Sequence, residues 1–365
     1  MKLLISKFAL ESDWGGEEEL HLLLAQKLEK RGHKVSLASS CKEFVNGFRK
    51  SGINALKLPY FPDPVSIKAL LILPLTAVYF LLMGIIYLAY FRFQDYSRVL
   101  FLRLGEKIIL TPIAKLMGYK VFWGEHCGFS DWIYKNPLRV FYKLFSRFVV
   151  IITPSKVMQK QIQKIAPESN VKILKNTIKE KFILKKAHDE VNITYAGRLS
   201  QEKGLFMLLN AYKQLETSRT CLNIIGKGEL EKGLKKHAME LGIKNIVFHG
   251  FLNQKERDEI YKKSDIFCLF SEFETFGMVL LEAMQAQIAI VSRPNGAIPE
   301  IIQNDKTGFL IRDLHDAIWK IKNLVHNPEK RHELTQNAYQ YYLKNFSESV
   351  FEDQVNQIFI GGKFA

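Results

Sequence analysis

The chain predicts an α/β protein built from two doubly wound, Rossmann-like domains, and three observations carry that prediction. Its 365 residues exceed the roughly 250 to 300 at which a single core stops growing. A strand, glycine loop and helix open the sequence, and the same order starts again near residue 192. Hydrophobic residues make up 47% and charged residues 24%, the usage of an ordinary folded chain without long low-complexity stretches.

The elements follow from hydrophobic period and punctuation. Leu3 to Phe8 is an apolar run that reads as a first buried strand. Gly15 and Gly16 form the loop after it, and Glu17 to Arg31, with leucines at 20, 23, 24 and 28, has helical spacing. Gly32 closes that helix and Lys34 to Ala38 is the next strand, which completes the opening of a parallel βαβ unit. The second start reads as strand Asn192 to Ala196, loop Gly197 to Gly204 and helix Leu205 to Leu215. Leu222 to Ile225, Ile246 to Phe248, Ile266 to Phe270 and Ala289 to Val291 read as further strands with helices between them. The basic stretch Lys179 to Lys186 interrupts the pattern near the join. The expected organisation is therefore residues 1–180, residues 181–335, and a helical segment 336–365 returning to the first domain, with a central cleft as the binding site.

Charge is uneven. The formal net charge is +15; residues 1–100 hold 13 basic and 9 acidic groups, 101–190 hold 17 and 7, and the rest 22 and 21. A basic middle attracts nucleic acid, anionic lipid or sugar diphosphates alike. The cysteines, at 41, 127, 221 and 268, have no C-x-x-C pair or metal-ligand spacing, so neither disulfides nor zinc is expected, and a reducing cytoplasm fits. The amino terminus lacks the pattern of a signal peptide.

Residues 69–91 are uncharged and flanked by Lys68 and Arg92. As a helix they would reach roughly 35 Å, the thickness of a bilayer. A lone span would place strands of one sheet on opposite sides of the membrane. An interfacial helix, or a re-entrant hairpin broken near Pro74 or Gly84, is the favoured reading; a buried or partner-covered helix of the first domain, and a true span, are the alternatives. Residues 132–148 mix Trp132, Tyr134, Phe141, Tyr142, Phe145 and Phe148 with Lys135, Arg139, Lys143 and Arg147. They suit either an anionic headgroup layer or an amphipathic core helix.

Two segments can carry chemistry. AGRLSQEKG places Arg198 and Lys203 in a loop after a strand, where two cations can converge on a diphosphate. SEFETFGMVLLEAM sets Glu274 before a helix start and Glu282 eight residues on, inside it. Gly277 between them permits close backbone approach, and the N–H groups of Phe276, Gly277, Met278 and Val279 can receive a phosphate. One carboxylate would hold sugar hydroxyls and the other ribose hydroxyls.

These segments, with IIGKGELEKGL, VFHGF, NGAIPEII and TGFLI in the same order, resemble glycosyltransferase family 4 of the GT-B fold. In the first half the likeness rests on Gly15-Gly16, the RGHKV helix end and EHCG with His126. The resemblance implies an α/β GT-B protein of two Rossmann-like doubly wound domains. It implies that Arg198 and Lys203 hold the donor diphosphate, Glu274 and His126 the donor sugar and Glu282 the ribose. Thr275, Phe276, Gly277, Met278 and Val279 would give backbone contacts, and Gly15 and Gly16 would approach the donor phosphate or acceptor. Asn176 stands at the family's interdomain P-N-G turn, without its Pro or Gly.

The implied reaction is metal-independent transfer from a UDP- or GDP-sugar co-substrate with retention, by same-face attack; no D-x-D motif is present and no further cofactor is called for. The membrane-facing features point to a lipid-linked or glycolipid acceptor at an anionic membrane surface, in polysaccharide biosynthesis, by a cytoplasmic, peripheral or monotopic enzyme. A soluble acceptor and a non-catalytic nucleotide-sugar-binding scaffold are the alternatives. An NAD-linked dehydrogenase lacks its G-x-G-x-x-G in the first loop. Nucleic acid is not expected, because the basic region accompanies an uncharged segment that suits lipid.

Overall fold

A computed structural model describes residues 1–8, 14–59, 67–126, 136–186, 188–215, 217 and 219–361, without the side chains of 67–70 and 72–76. Of the sequence features named above, Cys127, Trp132, Tyr134 and Lys135 lie outside the described residues.

The chain forms two compact units, Met1–Lys175 with Phe351–Ala365, and Asn176–Val350. The boundary falls at Asn176, and the last residues of the chain belong to the first unit. Each unit is built on one sheet whose strands all run parallel.

In the first unit, β1 (Lys2–Lys7), β2 (Lys34–Ser39), β3 (Asn54–Lys57), β4 (Arg98–Phe101), β5 (Lys120–Gly124), β6 (Val150–Thr153) and β7 (Asn170–Ile173) are ordered β3-β2-β1-β4-β5-β6-β7. β1 sits in the middle, paired with β2 from Lys2 opposite Lys34 and with β4 from Leu3 opposite Arg98. Its continuous apolar run is what a strand covered on both faces requires. Leu3, Ile5, Leu24, Leu37, Phe44 and Phe48 fill one face and Leu4, Val99, Phe101, Val121 and Trp123 the other.

The second unit repeats the plan. β8 (Val191–Ala196), β9 (Thr220–Ile225), β10 (Ile246–Gly250), β11 (Ile266–Leu269), β12 (Ala289–Ser292) and β13 (Phe309–Leu310) are ordered β10-β9-β8-β11-β12-β13. In both sheets the order reverses beside the first strand, between β1 and β4 and between β8 and β11. Loops leaving the carboxyl ends of those strands diverge to opposite faces and open the crevice where doubly wound folds bind ligands.

The uncharged segment is one continuous helix, Ile67–Phe93, passing through Pro74 and Gly84 without a break. The re-entrant hairpin considered from the sequence is therefore not formed. Among the described residues, no helix is long and apolar enough to cross a membrane. One face of this helix, Phe80, Tyr87, Leu88 and Phe91, is buried in the first unit's core. Gly84 lets it approach the turn Glu106–Leu110, where a Cβ would stand 2.2 Å from Leu110 Cδ2.

Candidate functional site

In the second unit, the crevice at the reversal of strand order is a cavity of about 300 Å³. Arg198 and Lys203, which follow β8, meet Glu274, Gly277, Met278 and Val279, which follow β11, around it. Six residues selected from the sequence thus come together, though the two segments lie about 70 residues apart.

The loop after β8 is held by backbone contacts that only glycines allow. Gly197 N–H donates to Ile225 O at 3.0 Å and Leu199 N–H to Lys227 O at 2.9 Å. Gly226 has φ +137°, and a Cβ there would lie 1.8 Å from Gly197 O; one on Gly228 would lie 2.2 Å from Leu199 O. The G-K-G segment after β9 is therefore a clamp on both sides of Arg198. Tyr195, buried at the end of β8, donates its hydroxyl to Arg198 O at 2.7 Å. Burial raises the Tyr195 phenol far above its ordinary value, so it remains a donor.

Glu274 is fixed from several directions. Its Oε1 receives Lys203 Nζ at 2.7 Å and Ser271 Oγ at 2.7 Å. Its carbonyl receives Ala297 N–H at 2.8 Å. Gly296, at φ +62°, lies so close that a Cβ would stand 2.2 Å from Glu274 O, which is the structural use of the N-G-A turn. Ser271 lies in the same S-E-F-E stretch as Glu274 and is a polar contact that the sequence reading passed over.

The helix Met278–Gln285 starts at Gly277, whose φ of +95° turns the chain into it. Met278 and Val279 line the cavity, and as the first residues of the helix their N–H groups have no partner within it. Two cations, one carboxylate and a helix amino terminus therefore share one crevice, an arrangement that suits a diphosphate joined to a polyol.

Thr275, Phe276 and Glu282 do not line this cavity. Phe276 is buried, edge-on to Phe346 with ring centroids 5.9 Å apart. Glu282 is buried with Oε1 taking Arg257 Nη2 at 2.8 Å and Oε2 taking the Tyr261 hydroxyl at 3.0 Å. Arg257 and Tyr261 had no sequence signal beyond their place on the preceding helix.

Gly15, Gly16 and His126 belong to the first unit. Gly15 is extended, with φ −144°, and precedes the helix Gly16–Lys30. The first turn carries Glu17, Glu18 and Glu19, which answer the helix dipole from within the chain. Glu18 accepts Gly15 N–H at 3.2 Å and pairs with the fully buried Lys7 at the end of β1. Glu17 joins Lys7 at 3.2 Å to Arg103, after β4, at 3.1 Å. Burial alone would raise the Glu17 carboxyl; Arg103 and Lys7 outweigh it and hold the value at about 2. His126, after β5, packs edge-on against His21 with centroids 4.9 Å apart, and its Nδ1 is shielded without a partner among the described residues. Burial, then the neighbouring His21, pushes the His126 imidazole down to about 3, so it is neutral at ordinary pH.

Among the described residues no group of three His, Cys, Asp or Glu side chains is placed to hold a metal ion.

Residues 176–341 match the family model of glycosyl transferases group 1. An uncharacterized glycosyltransferase of Methanocaldococcus jannaschii is 28% identical over 228 residues, 56% of this chain and 58% of that protein. The lipopolysaccharide 1,2-N-acetylglucosaminetransferase of Salmonella typhimurium is 27% identical over 238 residues, 57% of this chain and 62% of that protein. The chain thus spans about three fifths of these relatives' lengths. Among solved structures, Anabaena HepE in complex with UDP and glucose superimposes with a TM-score of 0.76 at 18% identity, covering 98% of each chain. The fold is that of the GT-B glycosyltransferases.

Proposed function

We propose, from a GT-B fold whose residues 176–341 match the glycosyl transferases group 1 model, that the protein is a retaining glycosyltransferase moving a sugar from a nucleotide-sugar to a lipid-linked glycan. The observation that carries the reading is the meeting of Arg198, Lys203, Glu274 and the helix start at Gly277 in one cavity. The relatives named above and the UDP-bound structural neighbour support a nucleotide-sugar donor and a place in polysaccharide assembly.

In this reading the donor diphosphate lies against Arg198, Lys203 and the N–H groups of Met278 and Val279. These charges and dipoles are in place before reaction, so they stabilise the phosphate as it departs with the glycosidic electron pair. That arrangement meets the charge without a metal. Glu274 holds sugar hydroxyls, and the departing phosphate takes the acceptor proton as the acceptor attacks the same face, which retains configuration. Neutral His126 is suited to hydrogen-bond a sugar hydroxyl. Three carboxylates after Gly15 and Gly16 disfavour a phosphate at that turn and favour an acceptor hydroxyl.

The lipid acceptor is supported by the outer face of the helix Ile67–Phe93, where Leu82, Ile86 and Phe93 are exposed, and by exposed Leu116, Val140, Phe141 and Phe148 in the same unit. Apolar surface of this extent, with basic residues near it in sequence, suits an anionic membrane surface at its cytoplasmic side.

The test is a donor screen with UDP-, GDP- and ADP-sugars and a membrane lipid extract, with and without chelator. Chelator-resistant nucleotide release from one donor, a matching mass gain on a lipid and retained anomeric configuration by NMR are expected. Folded protein that releases nucleotide from no donor would overturn the reading.

A further inference from the structure

Residues around the edge strand β13 form a second cavity in the Asn176–Val350 unit. It has a volume of about 840 Å³ and shares no lining residue with the donor cavity. Trp319, 63% exposed and the single tryptophan of this unit, is among its lining residues. The helix Leu314–His326 buries Ala317, Ile321 and Leu324 toward the core, and Trp319 lies off that face with His315 one turn before it. An exposed indole beside ordered polar groups in a cavity offers a flat apolar surface on which a ligand can stack.

The polar groups around the indole are already ordered. Asn304 Oδ1 accepts Leu310 N–H at 2.8 Å, and Asp305, at φ +62°, closes its turn by donating N–H to Gly308 O at 2.9 Å. Asp313 Oδ1 caps the helix through Asp316 N–H at 2.9 Å, and Lys320 Nζ donates to Leu310 O at 2.7 Å. These bonds fix the side chains and leave hydrogen-bonding capacity facing solvent. Asp313 engages only Oδ1, Arg312 is exposed, and the His315 ring makes no hydrogen bond among the described residues.

The chemistry of this wall selects its ligand. Three aspartates, 305, 313 and 316, stand against Arg312 and Lys320, a formal charge of −1 over these five groups. A polyanion is disfavoured there. Asp316 already pairs with Arg312 and Lys320, each at 3.4 Å, whereas Asp313 Oδ2 has no partner among the described residues, and an apolar peptide would leave it so. A sugar ring offers one apolar C–H face and a rim of hydroxyls that both donate and accept. The indole suits the face; Asp305 and Asp313 suit hydroxyl donors, and Arg312 and His315 suit hydroxyl acceptors. The volume, nearly three times that of the donor cavity, suits several sugar units. We infer that this cavity is a glycan-binding site that holds a neutral oligosaccharide segment on Trp319, apart from the donor site. The inference does not depend on donor chemistry.

The experiment titrates the whole protein with maltohexaose and chitohexaose. It follows the indole N–H signals by NMR, identifying Trp319 as the signal absent in Trp319→Phe. Movement of that signal by one of the two, at least tenfold weaker binding in Trp319→Ala, and binding largely kept in Trp319→Tyr are expected, with UDP binding unchanged in all. Neither oligosaccharide moving the signal would overturn the inference, as would equal affinity in Trp319→Ala. A Trp319→Ala change in sedimentation without any change in oligosaccharide binding would instead make the face a protein contact and also overturn it. Loss of donor turnover in the wild type with binding at Trp319 intact would count against the transferase reading alone.

Discussion

Lys203 Nζ stands 2.7 Å from Glu274 Oε1, across the reversal of strand order in the second sheet. A cation expected to face phosphate and a carboxylate expected to face sugar therefore hold one another. Ser271 donates to the same oxygen at 2.7 Å, so the carboxylate keeps a partner if the lysine turns to phosphate.

Lys203→Met should lower transfer by roughly 10²- to 10³-fold, the usual cost of one group that stabilises developing charge. Glu274→Gln should lower it about 10- to 100-fold, in line with a hydrogen bond to a charged group worth roughly 1.5–3 kcal/mol. Because the two side chains touch, the double variant should lose less than the product of the single losses. Turnover of all four proteins at saturating donor, with melting temperatures to establish folding, decides it. Strictly multiplicative losses would contradict a working pair.

Gly226→Ala and Gly233→Ala should move in opposite directions. At Gly226 the added carbon would stand 1.8 Å from Gly197 O with φ at +137°, so the clamp around Arg198 must open. A cost of about 1–3 kcal/mol is expected, together with weaker UDP binding. At Gly233, in the helix Glu231–Glu240, the new carbon meets only Phe206 Cζ at 3.8 Å. Alanine there should stabilise by about 0.4–1 kcal/mol and leave UDP binding alone. Urea midpoints and calorimetric titration read both effects; a tolerated Gly226→Ala would remove the clamp from the site.

These glycines also mark how far the sequence could be read. Hydrophobic period located β1, β2 and β8 to β12 to within about a residue or two, because a strand buried on both faces has little freedom in composition; β3 to β7 and β13, of two to five residues each, were given no bounds from the sequence. Arg198, Lys203 and Glu274 were legible as local motifs. Glu282 was legible as a residue but not in its surroundings: Arg257 and Tyr261 reach it from 25 and 21 residues away, and only packing brings them there. The first unit's Lys7–Glu17–Arg103 network escaped notice for the same reason, since three charges from three elements have no shared period. Gly15 was expected to let its loop approach the donor phosphate or acceptor; its backbone is extended, with φ −144°.

The His126 pair predicts a pH dependence of stability. The imidazole is held at about 3 in the folded protein against an ordinary 6.5. Between those values the unfolded chain binds a proton that the folded chain does not, so stability rises with pH; the contribution is complete above 6.5 and is lost as pH falls toward 3. His21, beside it, is shifted in the same direction by burial, while Glu17, Lys7 and Lys107 supply the facing charges. Glu17 titrates lower: its stabilisation is present above 4.5 and lost as pH falls through about 2. The window from 6.5 to 4.5 excludes Glu17; burial lowers His33 and His249 as well, so comparison with a His126 variant is what separates His126. There, His126→Gln should flatten the slope of stability against pH by up to about 1.4 kcal/mol per unit. Urea unfolding at half-unit steps measures it, and parallel slopes for the two proteins would place the titration elsewhere.

The outer face of Ile67–Phe93 gives a prediction with its own magnitude. Leu82, Ile86 and Phe93 are 54%, 61% and 90% exposed, and full burial of such a side chain is worth roughly 1.5–3 kcal/mol. With half to nine tenths of each side chain open to lipid, changing all three to Ser should weaken vesicle binding by roughly 3–6 kcal/mol, on the order of 10²- to 10⁴-fold. Lys115, Arg139 and Lys143 are exposed in the same unit, and each basic residue at an anionic surface adds roughly 1 kcal/mol. Binding should therefore be tighter to vesicles with phosphatidylglycerol than to phosphatidylcholine alone, and salt should weaken only that added part. Cosedimentation of the wild type and triple variant with both vesicle types, at low and high salt, separates the two contributions. A triple variant that binds phosphatidylcholine as well as the wild type would show that this helix does not enter the bilayer surface. The lipid acceptor would then have to reach the enzyme by another face.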